Sequence, residues 1–131
     1  MRELAPSHSP INEFANRGGL MDCMFCKIVK KEIPSTVVLE NENLLAIKDI
    51  NPQAPTHILI MPKKHYSTLL ECKDSDLLGG MVITASKIAE QLGVTEKGFR
   101  VVVNTNREGG QTVFHLHMHL LAGRPLSGVM G

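Results

Sequence analysis

The run Phe114-His115-Leu116-His117-Met118-His119-Leu120-Leu121 constrains this chain more than any other stretch. Three histidines recur at every second position, with apolar residues between and around them. Successive side chains of a β-strand point to opposite faces. A strand over residues 113–121 therefore presents His115, His117 and His119 on one face, and Phe114, Leu116, Met118 and Leu120 on the other. The apolar set seats the strand on a core. The other face is left with three imidazoles, the side chain that serves as nucleophile, proton carrier or metal ligand near neutral pH. Three readings stay open at this level: a plain solvent-facing surface, a metal site built from His-x-His, and covalent catalysis by one histidine assisted by the others.

The flanking pattern places that strand in an α+β domain. Residues 36–39 and 44–48 read as a hairpin around the turn Asn41-Glu42-Asn43, and residues 57–61 as a third strand ended by Pro62. Residues 99–103 and 113–121 complete five strands. A short helix is predicted over residues 25–31, stopped near Ile33-Pro34 because proline disfavours helix in the residue before it. A long helix follows Asp74 or Ser75 as N-cap. Its predicted buried face is Leu77, Leu78, Met81, Val82, Ala85, Ile88, Ala89 and Leu92, with Gly93 as the C-terminal stop. Strands adjacent in sequence favour a five-stranded antiparallel sheet over a doubly wound parallel one.

Composition narrows the function. With 14 Lys+Arg against 13 Asp+Glu, the net charge is +1, which argues against nucleic acid or an anionic membrane as the main partner. No apolar run has the length of a membrane span or a secretory signal. Three cysteines, an odd number, argue against a secreted disulfide scaffold and for a reducing cytoplasm. Residues 1–20 lack periodicity and read as a disordered leader or expression tag, with the folded domain at 21–131.

The loop Asn104 to Thr112 helps to choose among the three readings. Gly109-Gly110-Gln111-Thr112 places backbone N–H groups, an amide and a hydroxyl just before the imidazoles. Glycine lets backbone approach a ligand closely, and clustered N–H groups make a concavity for anions. Beside three imidazoles, a phosphate cradle is expected, as phosphoryl transfer needs positioned donors and an in-line nucleophile.

Three separated blocks now resemble one family. Gly109-Gly-Gln-Thr-Val-Phe-His-Leu-His-Met-His-Leu-Leu121 resembles the signature of the histidine triad (HIT) superfamily. Asp49-Ile-Asn-Pro-Gln-Ala-Pro-Thr-His-Ile-Leu-Ile-Met-Pro-Lys-Lys-His65 and Phe25-Cys-Lys-Ile-Val-Lys-Lys-Glu-Ile-Pro34 resemble its Hint branch, the histidine triad nucleotide-binding proteins. The resemblance implies hydrolysis of purine nucleoside 5′-monophosphoramidates, AMP or GMP conjugates held by a P–N bond, through a covalent nucleotidyl-histidine. It implies His117 as nucleophile, His119 at the phosphate and leaving group, and His57 in support. Asn104, Gly110, Gln111 and Thr112 then contact phosphate or leaving group, with Thr112 where serine is common. Asp49 binds the ribose hydroxyls, and Phe25, Ile28, Ile47 and Ile50 form the slot for the base. A homodimer is implied as well. Dinucleoside polyphosphate hydrolysis and a non-enzymatic nucleotide-binding scaffold are the rival functions.

Cys23-x-x-Cys26 by itself admits a redox pair, two unrelated thiols or half of a zinc site. The βαβ context of a redox pair is missing. The resemblance to bacterial HIT proteins implies a structural zinc held by Cys23, Cys26, His65 and His115, with no metal required for catalysis. Cys72 fits neither role and reads as a packing residue.

Overall fold

The computed structural model describes residues 22–129. The expected leader at residues 1–20 therefore lies outside the described residues. In chain order the elements are α1 (Met24–Val29), β1 (Val37–Glu40), β2 (Leu44–Lys48), β3 (Thr56–Pro62), α2 (Ser75–Gln91), β4 (Phe99–Val102) and β5 (Met118–Ala122), with a short 3-10 turn at Leu69–Glu71. The strands form one sheet in the order β1-β2-β3-β5-β4, every neighbouring pair antiparallel. This is the five-stranded α+β arrangement that the sequence implies.

Both faces of the sheet are covered, and the strand alternation decides what lies on each. Leu44 and Ala46 of β2, Ile58 and Ile60 of β3, and Met118 and Leu120 of β5 pack with Met81, Ala85 and Ile88 of α2. Leu45, Ile47, Leu59 and Met61 face the other way and pack with Cys23, Phe25, Cys26 and Ile28 around α1. Cys72 is buried in the α2 cluster, as expected for a packing residue. Asn41 makes the β1–β2 turn, its Oδ1 accepting from the N–H groups of Asn43 and Leu44, both at 2.8 Å.

Helix α2 takes Asp74, not Ser75, as its N-cap, with the carboxylate accepting from Leu77 N–H at 3.0 Å. It ends on Gly93 at φ 72°, where Gly93 N–H bonds to Glu90 O and Val94 N–H to Ala89 O. That double bond at a left-handed residue is a Schellman stop, and glycine adopts it without a Cβ penalty. The predicted buried face needs correcting at two positions. Val82 and Leu92 are 49% and 45% exposed, and Thr84 takes a buried place instead. The true stripe runs through Met81, Thr84, Ala85, Ile88 and Ala89, narrower than the apolar residues alone suggest.

Two other expectations shift. Helix α1 stops at Val29, ahead of Pro34. Lys31 at φ 67° donates to Ile28 O and Glu32 N–H to Lys27 O, so a Schellman turn on a lysine ends it before proline acts. The histidine strand is also shorter, since β5 begins only at Met118. The ladder with β3 runs from Thr56↔Ala122 to Ile60↔Met118. The next outward-facing partner is Pro62, which has no N–H to give. Leu116 N–H instead reaches Tyr66 O at 2.7 Å. The inside-outside alternation nevertheless continues, with Leu116 in the same cluster as Met118 and Leu120.

Candidate functional site

The imidazoles gather at the α1 side of the sheet in two groups. One holds His115 and His65 with the cysteines of α1, and the other holds His117, His119 and His57. Leaving the β ladder is what separates His115 from its neighbours. Its ring turns under α1, where His115 is fully buried.

In the first group, the sulfurs of Cys23 and Cys26 lie 3.4 and 3.6 Å from His115 Nδ1. His65 Nδ1 lies 3.3 Å from Cys26 Sγ and 3.2 Å from His115 Nδ1. Zinc bonds of about 2.3 Å to sulfur and about 2.0–2.1 Å to nitrogen imply tetrahedral edges of about 3.3 Å between nitrogens and about 3.6 Å between sulfur and nitrogen. The observed spacings match those edges. Tautomers fit as well: His115 Nε2 donates to Pro62 O at 2.8 Å, which leaves Nδ1 unprotonated and aimed at the cluster. Cys23 Sγ also accepts Cys26 N–H at 3.3 Å, capping α1 with an atom of the same cluster. Burial, reinforced by Cys23 alongside, pushes the Cys26 thiol up to about 12. The Cys26 thiol, packed on two ring nitrogens, is therefore protonated on its own, and a divalent cation reverses that preference. All four residues expected as metal ligands are brought together.

The second group is ordered by a chain of donors. Gln53 N–H donates to His57 Nδ1 at 3.0 Å, so the His57 proton sits on Nε2. That Nε2–H faces His119 Nδ1 at 2.9 Å, which places the His119 proton on its own Nε2. His117 donates Nδ1–H to His115 O at 2.7 Å, leaving the lone pair of Nε2 available. The Phe25 ring meets the His117 ring edge-on, with centroids 5.0 Å apart. Burial holds all three rings below the ordinary imidazole value, His119 down to about 4, so they are neutral at pH 7. Asp49 Oδ2 lies 3.3 Å from His57 Nε2, yet burial outweighs the carboxylate. The contact is one between a carboxylate and a neutral ring.

Asp49, His57 and His119 also lie close enough to suggest a second metal site. The tautomer argues against it. Gln53 N–H occupies one nitrogen lone pair of His57, so the nitrogen facing His119 and Asp49 carries the proton and has no lone pair for a metal.

The remaining expected residues are placed less uniformly. Phe25, Ile28 and Ile47 are buried together under α1, whereas Ile50 is 92% exposed beside Asp49. Asp49 Oδ1 accepts Asn51 N–H at 2.8 Å and its side chain stays partly open. Thr112 is exposed and Asn104 half-buried, with the Asn104 amide 3.8 Å from where a Gly110 Cβ would stand. The expected cradle of N–H groups is not offered by Gly110 and Gln111. Their N–H groups turn inward to Arg107 O at 2.9 Å and Asn106 O at 3.0 Å. The Gln111 side chain is likewise engaged with the loop backbone.

Four participants escaped sequence reasoning: the Gln53 N–H, the Pro62 carbonyl, Ser67 and Arg124. Arg124 donates to Gln53 O at 2.9 Å, and Gly123 at φ 102° passes so close to Pro55 that a Cβ there would lie 2.8 Å away. Backbone groups leave no sequence mark, and a lone serine or arginine carries no motif.

An antiparallel sheet with a His-x-His-x-His segment, one ring set against cysteines and two beside a third histidine, defines a histidine triad protein. The HIT domain model matches residues 30–126, and the chain belongs to that family. It is 50% identical over 107 residues to the purine nucleoside phosphoramidase of Escherichia coli strain K12, covering 80% of this chain and 90% of that one. A HIT family hydrolase from Legionella pneumophila Philadelphia 1 is 52% identical with a TM-score of 0.78, over 81% of this chain and 96% of its own. A zinc-bound histidine triad family protein from Mycobacterium smegmatis is 33% identical with a TM-score of 0.72, over 81% and 78%.

Proposed function

We propose that this chain is a purine nucleoside phosphoramidase that works through a nucleotidyl-histidine intermediate. The observation that carries it is the 2.7 Å bond from His117 Nδ1 to the His115 carbonyl, which commits one nitrogen and leaves the lone pair of the other available. His117 Nε2 attacks the phosphorus of a nucleoside 5′-phosphoramidate; the N–P bond forms as the P–N bond to the amine breaks. The leaving amine takes one proton from solvent, at a position that the His119 Nε2–H faces. Water then cleaves the nucleotidyl-imidazole and returns one proton, so the triad ends unchanged. Dividing one displacement into two easier ones is the gain of covalent catalysis.

Asp49 suits the ribose hydroxyls, since each oxygen keeps a lone pair beyond its present partner. Phe25, Ile28 and Ile47 offer an apolar floor for the base, and Ile50, an exposed apolar residue beside Asp49, suits its cover. Asn104, Gly110 and Thr112 border the phosphate position. Cys23, Cys26, His65 and His115 hold a structural zinc; with four protein ligands it keeps no open position, so the chemistry belongs to the histidines.

The same reading makes the protein a cytoplasmic homodimer. Three free, buried thiols suit a reducing compartment. Val82 and Ile83 on α2 and Val101 on the edge strand β4 are exposed apolar residues suited to a second copy. Among the described residues, no helix is long and apolar enough to cross a membrane.

The test is a single turnover with a labelled AMP phosphoramidate. Acid-labile label on His117 supports the mechanism, and turnover by His117→Ala at the wild-type rate refutes it. Faster cleavage of a dinucleoside polyphosphate at equal concentration would reassign the substrate.

A further inference from the structure

The metal cluster and the loop before the triad are joined by hydrogen bonds that neither metal binding nor attack on phosphorus requires. Ser67 stands at the junction. Its hydroxyl lies 3.4 Å from His65 Nε2, the ring nitrogen turned away from the ligand cluster. When His65 ligates through Nδ1, its proton must sit on Nε2, and the serine oxygen is there to accept it. Ser67 N–H donates to Glu71 Oε1 at 2.8 Å. Its carbonyl accepts from Gln111 Nε2, also at 2.8 Å.

Gln111 carries the link onward. Its second amide N–H reaches Val113 O at 3.0 Å, and its Oε1 accepts Asn106 N–H at 2.9 Å. The side chain thus ties both ends of the 106–113 loop to residue 67. Gln111 is 5% exposed and Ser67 4%. Both amide donors of Gln111 are used on backbone carbonyls. A substrate phosphate could be reached only by breaking one of these buried bonds.

We propose that Gln111 is a positioning residue rather than a substrate contact: with Ser67 it clamps the loop to the metal-ligand segment 65–67, so that metal occupancy sets the loop's geometry beside the triad. The proposal rests on the reading of Cys23, Cys26, His65 and His115 as a metal site. A zinc ion held away from the reacting atoms then governs turnover through three residues, none of which it transforms.

The experiment compares Gln111→Met, Ser67→Ala and the double variant in the full chain. Zinc affinity is read by competition with a chromophoric chelator, and kcat and KM on an AMP phosphoramidate. Neither residue is a ligand, yet each single variant is expected to lose zinc affinity on the order of tenfold. The double variant should lose less than the product of the two, because both break one chain. The activity loss should fall on kcat. Wild-type zinc affinity in Gln111→Met together with a raised KM overturns the proposal and makes Gln111 a substrate contact. A second measurement needs no variant. Stripping zinc from the wild type should speed amide exchange at Asn106 and Gln111 while the β2–β3 amides stay slow; unchanged exchange in the loop overturns the clamp. A wild type that takes up no zinc refutes the metal reading instead, a result the affinity titration shows by itself.

Discussion

Replacing His57 with phenylalanine tests the donor chain that orders the triad. An aromatic ring of somewhat larger size replaces the imidazole, so apolar packing beside Leu121, its cross-strand partner on β5, is retained. What disappears is the Nε2–H that faces His119 Nδ1 at 2.9 Å and the acceptor for Gln53 N–H at 3.0 Å. The 2.9 Å bond biases His119 toward carrying its proton on Nε2, the nitrogen that faces the leaving group in the proposed reaction. A hydrogen bond in a buried setting contributes about 1–2 kcal/mol, and that bias corresponds to roughly 5- to 30-fold in the population of the productive tautomer. The expected result is a fall in kcat of that size with KM nearly unchanged, measured with a fluorogenic AMP phosphoramidate. The outcome is refutable from both sides. No change in kcat would mean that His119 keeps its tautomer without His57. A loss on the order of 10³-fold or more, the scale of removing a reacting group, would mean that His57 itself takes part in bond making.

His117→Ala should abolish turnover while leaving the far-ultraviolet circular dichroism spectrum and zinc content at wild-type values. The pH dependence follows from neutral, buried rings: His119 is held down to about 4 and His57 and His117 lie below the ordinary imidazole value, all mainly by burial. The unfolded chain then binds more protons below about pH 6.5, so stability is full above that pH and is lost as pH falls toward 4; a melting temperature that does not fall across that window contradicts the burial argument. Cys26→Ser should abolish tight zinc binding, and zinc at a hundredfold above its Kd should stabilise the wild type by about 2.7 kcal/mol but not the variant, read by thermal melts with and without metal. Gly109→Ala would drive a Cβ into Thr105 O and should cost about 1–3 kcal/mol in a denaturant titration.

Local pattern accounts for a good part of this molecule. The Asx turn at Asn41, the Asp74 cap and the Gly93 stop each depend on residues within a few positions, and each is visible in the chain. The alternation in 114–121 settles which residues face the core, because face depends on the period of extended backbone and not on the partner strand. The three motif blocks reach further, since they carry the family and contain Cys26, His65, His115 and His117.

Tertiary structure decided the rest. His115 and Cys23 stand 92 residues apart in sequence, and only the fold sets their ring and sulfur at 3.4 Å. The end of the β ladder at Pro62 turned an expected nine-residue strand into a shorter one, because strand length depends on what the neighbouring strand can donate. The exposure of Val82 and Leu92 follows from how wide a contact the sheet offers α2. The protonated nitrogen of His57, His115 and His117 is fixed by a backbone group, Gln53 N–H, the Pro62 carbonyl and the His115 carbonyl, and that of His119 by the His57 ring. The sequence alone determined which residue types could do this chemistry and on which face they lie. Which nitrogen of each ring holds a proton and which keeps its lone pair depends on hydrogen-bond partners that only the folded chain brings within reach.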